Sequence, residues 1–211
     1  MWISSALAIL IGYLLGSFPS AQIAARVVKK RDIRSIGAGN MGALNAIRGV
    51  GFIPGALVFI ADAGKGALAV LVAQHLVESQ IVILVSALAS IAGHIWPVFL
   101  MFRGGRGAAT GYGVFLALAF KPALIALGII VVLYILTSNA WLALMTAFLI
   151  QPLLIWLFGG EIYIIIFSLI VPVFLGLRIV STGGARHLDL KTRKNLIVDH
   201  DYTWWGSKRN K

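Results

Sequence analysis

The 211-residue chain is 60% hydrophobic and only 12% charged, with 18 lysines and arginines against seven acids. A soluble domain carries about a quarter charged residues, so a soluble fold is excluded and an all-α integral membrane protein is expected. The formal net charge of +11 suits loops that face anionic lipid or an anionic substrate. The bases are split among short loops and a tail, which argues against nucleic acid.

Cysteine is absent, which removes disulfide and thiolate chemistry. His75, His94, His187 and His200 form no ligand-spaced cluster, so no metal is expected, and no cofactor. The opening "MWISSALAIL" has no basic leader and reads as a retained span.

Trp2 to Ala25 carries no charge, enough for one span of about 20 residues. A polar, glycine-rich loop follows, with Arg26, Lys29, Lys30, Arg31, Arg34 and Arg48. The second span is read from Phe52 to about Leu76, interrupted by Asp62 and Lys65, and the third from about Ile81 to Met101. Asp62 and Lys65, at i and i+3, can pair on one helix face. Intramembrane charges default to functional candidates, although mutual neutralisation serves the bundle equally well. His94 lies three residues before Pro97, which is expected to kink its helix, and it reads better as a structural histidine than as a ligand. Ser17 is expected to bond back to a carbonyl of its own helix.

Residues 102–110, "FRGGRGAAT", separate the third span from the apolar stretch 108–136. Pro122 is poorly suited to a helix interior, so that stretch is expected to break at Lys121-Pro122. This leaves a fourth helix of about 13 residues, or ~20 Å, too short to cross alone a core of ~30 Å and in need of shelter from its neighbours. Spans over about 140–158 and 162–177 complete seven. The first loop and the tail are both basic, which places them inside. An outside N-terminus, a cytoplasmic C-terminus and an odd number of spans follow. All bases except Lys65 and Lys121 then lie inside. Residues 1–180 are read as the membrane domain and 181–211 as a basic cytoplasmic tail whose "DYTWW" (201–205) suits an interfacial anchor.

Two loops on the expected inner face are rich in glycine and arginine. The first, "GAGNMGALNAIRG" (37–49), matches G-x-G-x-x-G, but nothing nearby supplies the strand that a dinucleotide fingerprint needs. Its glycines, like those of 102–110, can still let backbone N–H groups converge on an anion that arginine also binds. Each loop leads into a helix N-terminus, near Phe52 and near Ala108, where partial positive charge favours anions. One shared anion site is therefore expected, with each charge-assisted hydrogen bond contributing roughly 1.5–3 kcal/mol. Asn40, Asn45 and Thr110 stand beside it. Arg48 precedes a helix N-terminus, where a purely structural cation is disfavoured. The plainer alternative is that the glycines turn the chain and Arg103 and Arg106 only mark the inside.

Four motifs occur in order: "LLGSFPSA" (14–21), "GAGNMGALNAIRGVG" (37–51), "DAGKG" (62–66) and "GHIWPVFLMFRGGRGAATGYG" (93–113). Together they resemble the PlsY family of bacterial acyl-phosphate:glycerol-3-phosphate acyltransferases over about residues 10–115. The resemblance implies a seven-span inner-membrane enzyme without metal or nucleotide. It would pass an acyl group from acyl phosphate to the 1-hydroxyl of glycerol 3-phosphate, giving lysophosphatidic acid.

Carried over on the matching motifs, Arg48, Asn40 and Asn45 belong to the catalytic set, with His187 and Asn195 as displaced counterparts of the family's ending. Arg103, Gly104, Gly105, Arg106, Gly107, Thr110, Gly37, Gly39 and Lys65 belong to the phosphate-binding set. Ala38 and Leu44 stand where the family has serine and threonine, and the tail differs in spacing. Ser138 corresponds only loosely to a further family serine. A catalytically degenerate relative, acting as a carrier or binder of phosphate esters or lipids, is the rival reading, although no inverted repeat is visible.

Overall fold

The computed structural model describes residues 2–37 and 39–181. His187, Asn195, Ala38 and the aromatic segment 201–205 lie outside the described residues. Among the described residues every regular element is helical. The chain forms two compact units, divided between Phe120 and Lys121.

The first unit begins with α1 (Trp2–Gly16) and α2 (Ser20–Lys29). The expected single first span is thus broken at residues 17–19. Pro19 supplies no N–H to continue the helix, and Ser17 Oγ turns back to donate to Tyr13 O at 2.8 Å. A 3-10 turn (Ile33–Ser35) and the short α3 (Ala43–Gly49) precede α4 (Phe52–Leu76).

The third expected span is shorter than its apolar run. Helix α5 (Gln80–Ile95) stops before Pro97 instead of kinking there, and a 3-10 turn (Val98–Leu100) follows. The residue before proline is driven out of helical geometry, and Trp96 sits at φ −125°, ψ 67°. Helix α6 (Ala108–Leu118) ends at Ala119, close to the expected break.

Small residues let these helices approach. Cβ atoms at Gly12, Gly16 and Gly93 would strike α5 or α1, and Cβ atoms at Gly66 and Gly113 would strike the Thr110 and Ala63 carbonyls. Such close backbone approach replaces the hydrophobic drive that lipid removes. Ser86 Oγ donates to Ala8 O at 2.8 Å and Tyr13 Oη to Trp96 O at 2.7 Å, joining α1 to α5. The short α6 is sheltered as anticipated, with Thr110 through Phe115 buried.

The second unit contains α7 (Phe120–Thr137), α8 (Ala140–Leu157) and α9 (Ile162–Ser181). Pro122 falls in the first turn of α7, where its missing N–H costs nothing. Asn139 Oδ1 accepts from Leu142 N at 3.1 Å and caps α8. Ser138, at φ 54°, lies in the turn before it.

Among the described residues four helical segments, Trp2–Lys29, Phe52–Leu76, Gln80–Leu100 and Phe120–Thr137, have the length and apolarity to cross a membrane. Shorter apolar helices cover Ala108–Leu118, Leu142–Leu157 and Ile162–Arg178.

Candidate anion-binding site

All described parts of the site lie in the first unit. The loop after α2 is folded on itself. Asp32 caps the 3-10 turn by accepting from Arg34 N at 2.8 Å. It also takes the Arg34 guanidinium on both carboxylate oxygens, at 3.0 and 2.7 Å. That hydrogen bonding holds the Asp32 pKa down at about 2.

Asn45, on α3, is buried and donates from Nδ2 to Ile36 O at 3.0 Å and Asn40 O at 2.8 Å. Asn40 Oδ1 accepts from Gly42 N at 2.9 Å. Gly37 and Gly39 adopt φ of 55° and 68°, left-handed values that a side chain resists. The structure therefore shows both asparagines holding the loop.

Arg48 calls for a correction. It does not simply precede a helix N-terminus. It lies in the last turn of α3, an element the sequence reading lacked, and a cation is favoured there. Its side chain is exposed, and its charge bears on Arg106 of the second loop.

The second loop is packed onto the end of α5. Gly105 N donates to His94 O at 3.0 Å and Gly104 N to Ile95 O at 3.1 Å. This corrects the expectation that these two N–H groups converge on an anion: they satisfy the terminal carbonyls of α5, orphaned because Pro97 ends the helix. A Cβ at Gly104 would strike the His94 carbonyl and Pro97, and one at Gly105 would strike the His94 imidazole. Gly107, at φ 84°, sits at the N-cap of α6. The first N–H groups of α6 have no carbonyl one turn earlier in the helix to receive them. In that first turn Thr110 is fully buried, and its Oγ1 lacks a hydrogen-bond partner.

The two loops are near enough for their charges to interact. Arg106 has its pKa lowered, first by desolvation and then by repulsion from Arg48. Arg103 is exposed on the same loop. Two guanidinium groups from separate loops, beside a helix N-terminus, make an arrangement suited to phosphate.

Behind the second loop lies a buried cluster that the sequence reading saw only in part. Lys65 Nζ lies 2.8 Å from Asp62 Oδ1 and donates to Phe18 O at 3.1 Å. The expected i, i+3 pairing is present. Lys65, expected among the phosphate ligands, directs its ammonium to these two oxygens. Ser20 Oγ donates to the same Asp62 oxygen at 2.6 Å, and His94 Nδ1 stands 3.5 Å from it. A small cleft is lined by Ser17, Phe18, Ser20, Lys65, His94 and Gly104 among others. The available signal for this cluster was the presence of intramembrane polar groups in three separate segments. Among the described residues no group of three or more acids and histidines is placed to hold a metal.

The family model described as glycerol-3-phosphate acyltransferase matches residues 6–183. A relative in Dehalococcoides mccartyi, named glycerol-3-phosphate acyltransferase 1, is 36% identical over 200 residues, covering 92% of this chain and 96% of its own. Two crystal structures of PlsY (YgiH), an integral membrane glycerol 3-phosphate acyltransferase, are similar. The glycerol 3-phosphate form matches with a TM-score of 0.79 at 29% identity, covering 88% of this chain and 92% of that one. The lysophosphatidic acid form matches with a TM-score of 0.77 at 28% identity and the same coverage.

Proposed function

Because the chain belongs to the glycerol-3-phosphate acyltransferase family and is a multi-pass membrane protein, we propose that it transfers an acyl group from acyl phosphate to the 1-hydroxyl of glycerol 3-phosphate. The hydroxyl oxygen bonds to the acyl carbon, the bond from that carbon to the phosphate oxygen breaks, and lysophosphatidic acid and phosphate leave. A phosphate oxygen of the donor takes the hydroxyl proton, so no protein base is needed. The chain's part is positioning and charge stabilisation.

Arg48, Arg103 and Arg106, with the α6 N-terminus and Thr110, hold the phosphates in this reading. Asn40, Asn45, Gly37 and Gly39 shape the first loop around them, and the acyl chain lies in lipid between spans. His187 and Asn195 are assigned to the substrates by family resemblance alone.

One arrangement carries the reading: Arg106 stands just before the N-terminus of α6, where the buried Thr110 Oγ1 lacks a hydrogen-bond partner, and the charge of Arg48 bears on Arg106 from the first loop, a setting that an anion stabilises. The test uses the full chain in lipid, supplied with acyl phosphate and glycerol 3-phosphate. Formation of lysophosphatidic acid supports the reading, and its absence rejects it. The same preparation sealed into liposomes tests the carrier reading, which the loss of a hydroxyl at Leu44 favours. Uptake of labelled glycerol 3-phosphate without acyl transfer would establish the carrier.

We also assign the chain to a bacterial inner membrane, with seven spans, the N-terminus outside and the C-terminus in the cytoplasm. A reporter fused at Lys121 should report the outer side; a cytoplasmic signal there rejects this topology.

A further inference from the structure

Asp62 and His94 are buried, titratable and outside the proposed chemistry, yet they stand directly behind the second loop. Asp62 Oδ1 receives three neighbours: Ser20 Oγ at 2.6 Å, Lys65 Nζ at 2.8 Å and His94 Nδ1 at 3.5 Å. The last is an electrostatic contact and not a short hydrogen bond, but it fixes which edge of the imidazole faces the carboxylate. The opposite edge, at Nε2, occupies the space that a Cβ of residue 105 would need. The His94 carbonyl accepts the Gly105 N–H at 3.0 Å. One residue thus seats Gly105 by both its ring and its backbone, and the next residue along is Arg106.

That seat has a mechanical task. Arg106 carries a charge of the same sign as Arg48, which bears on it from the first loop, so its position has to be held by something other than that pair. The backbone bonds of Gly104 and Gly105 tether the second loop. The imidazole, held from behind by the Asp62 carboxylate, limits the positions that the tether allows.

We propose that Asp62 and His94 are positioning residues for the anion site: the carboxylate orients the imidazole, the imidazole seats Gly105, and the seat sets where Arg106 stands. The inference rests on the functional reading only for the identity of the anion.

The test uses His94→Ala in the full chain in lipid discs, which leaves the Asp62–Lys65 pair in place. Hydrogen exchange read by mass spectrometry should rise at least tenfold in peptides covering 103–107 and stay unchanged in α1 and α4. In the acyl-transfer assay the KM for glycerol 3-phosphate should rise about tenfold while kcat changes less than threefold, because binding is lost and not chemistry. His94→Asn keeps a donor near the Nδ1 position and should fall between wild type and His94→Ala; it also carries the test if the alanine variant does not fold. Exchange that is unchanged at 103–107, or that rises equally in all peptides with KM unaltered, overturns the proposal. If the wild-type chain makes no lysophosphatidic acid, the functional reading fails, and the exchange measurement alone decides the positioning role.

Discussion

The two glycine-rich loops look alike in composition but are built in opposite ways. The loop after α2 is held from within. Asn45 gathers its carbonyls, and Gly37 and Gly39 are there for left-handed backbone. The loop after α5 is held from outside. Gly104 and Gly105 are there for close approach to His94, Ile95 and Pro97, and the one left-handed glycine, Gly107, opens α6. Counting glycines does not separate these roles. What separates them is the backbone: Gly37 and Gly39 take left-handed torsions, whereas Gly104 and Gly105 do not and are pressed against the end of α5.

The difference predicts how each loop breaks. Gly105→Ala should have the largest effect, because its Cβ and the buried imidazole cannot share one space. A shift of about 1 Å in a positioning group can cost about 100-fold, read here in kcat/KM for glycerol 3-phosphate. Acyl-transfer rates on the full chain in lipid check this, and near-wild-type turnover would remove the close-approach argument.

Asn45→Ala should act on stability instead. It strips a buried partner from the Ile36 and Asn40 carbonyls, at a cost of about 1–3 kcal/mol. Thermal unfolding in lipid discs measures the loss, and exchange should rise in peptides over 33–42 while those over 103–107 stay protected. Equal exchange in both loops would show that they are one structural unit and not two.

Asp32→Asn should have the smallest effect. The Asp32–Arg34 pair is more than a third exposed on average, so solvent screens it and about 0.2–1 kcal/mol is expected. Because the Asp32 pKa is held at about 2 against an ordinary 3.8, its contribution is complete above pH 3.8. It disappears as pH falls through about 2. Unfolding of wild type and variant compared across that window, at low and high salt, tests the sign.

The membrane class and most helices were legible because long uncharged runs leave few alternatives. Helix α4, Phe52–Leu76, follows its apolar run to the residue. Two of the misplaced helix ends share one cause. Pro19 and Pro97 each end a helix inside an apolar stretch, and hydropathy registers burial in lipid without registering a missing N–H. Helix α3 escaped notice because seven residues carry too little periodicity, and with it went the reason for Arg48's place at a helix C-terminus. In the site, the Asp62–Lys65 pair was readable because i and i+3 share a helix face. Ser20 and His94 were not readable as its partners, because they come from other helices and only packing brings them to one carboxylate.

The central claim is that two differently built loops make one anion site. A double-mutant cycle on glycerol 3-phosphate half-saturation, with Arg48→Ala, Arg106→Ala and both together, addresses it directly. Residues serving one ligand should couple by about 0.5–3 kcal/mol, so the double variant should lose clearly less than the sum of the single losses. Losses that add to within about 0.3–0.5 kcal/mol would mean that the two arginines act independently and that the shared site does not exist.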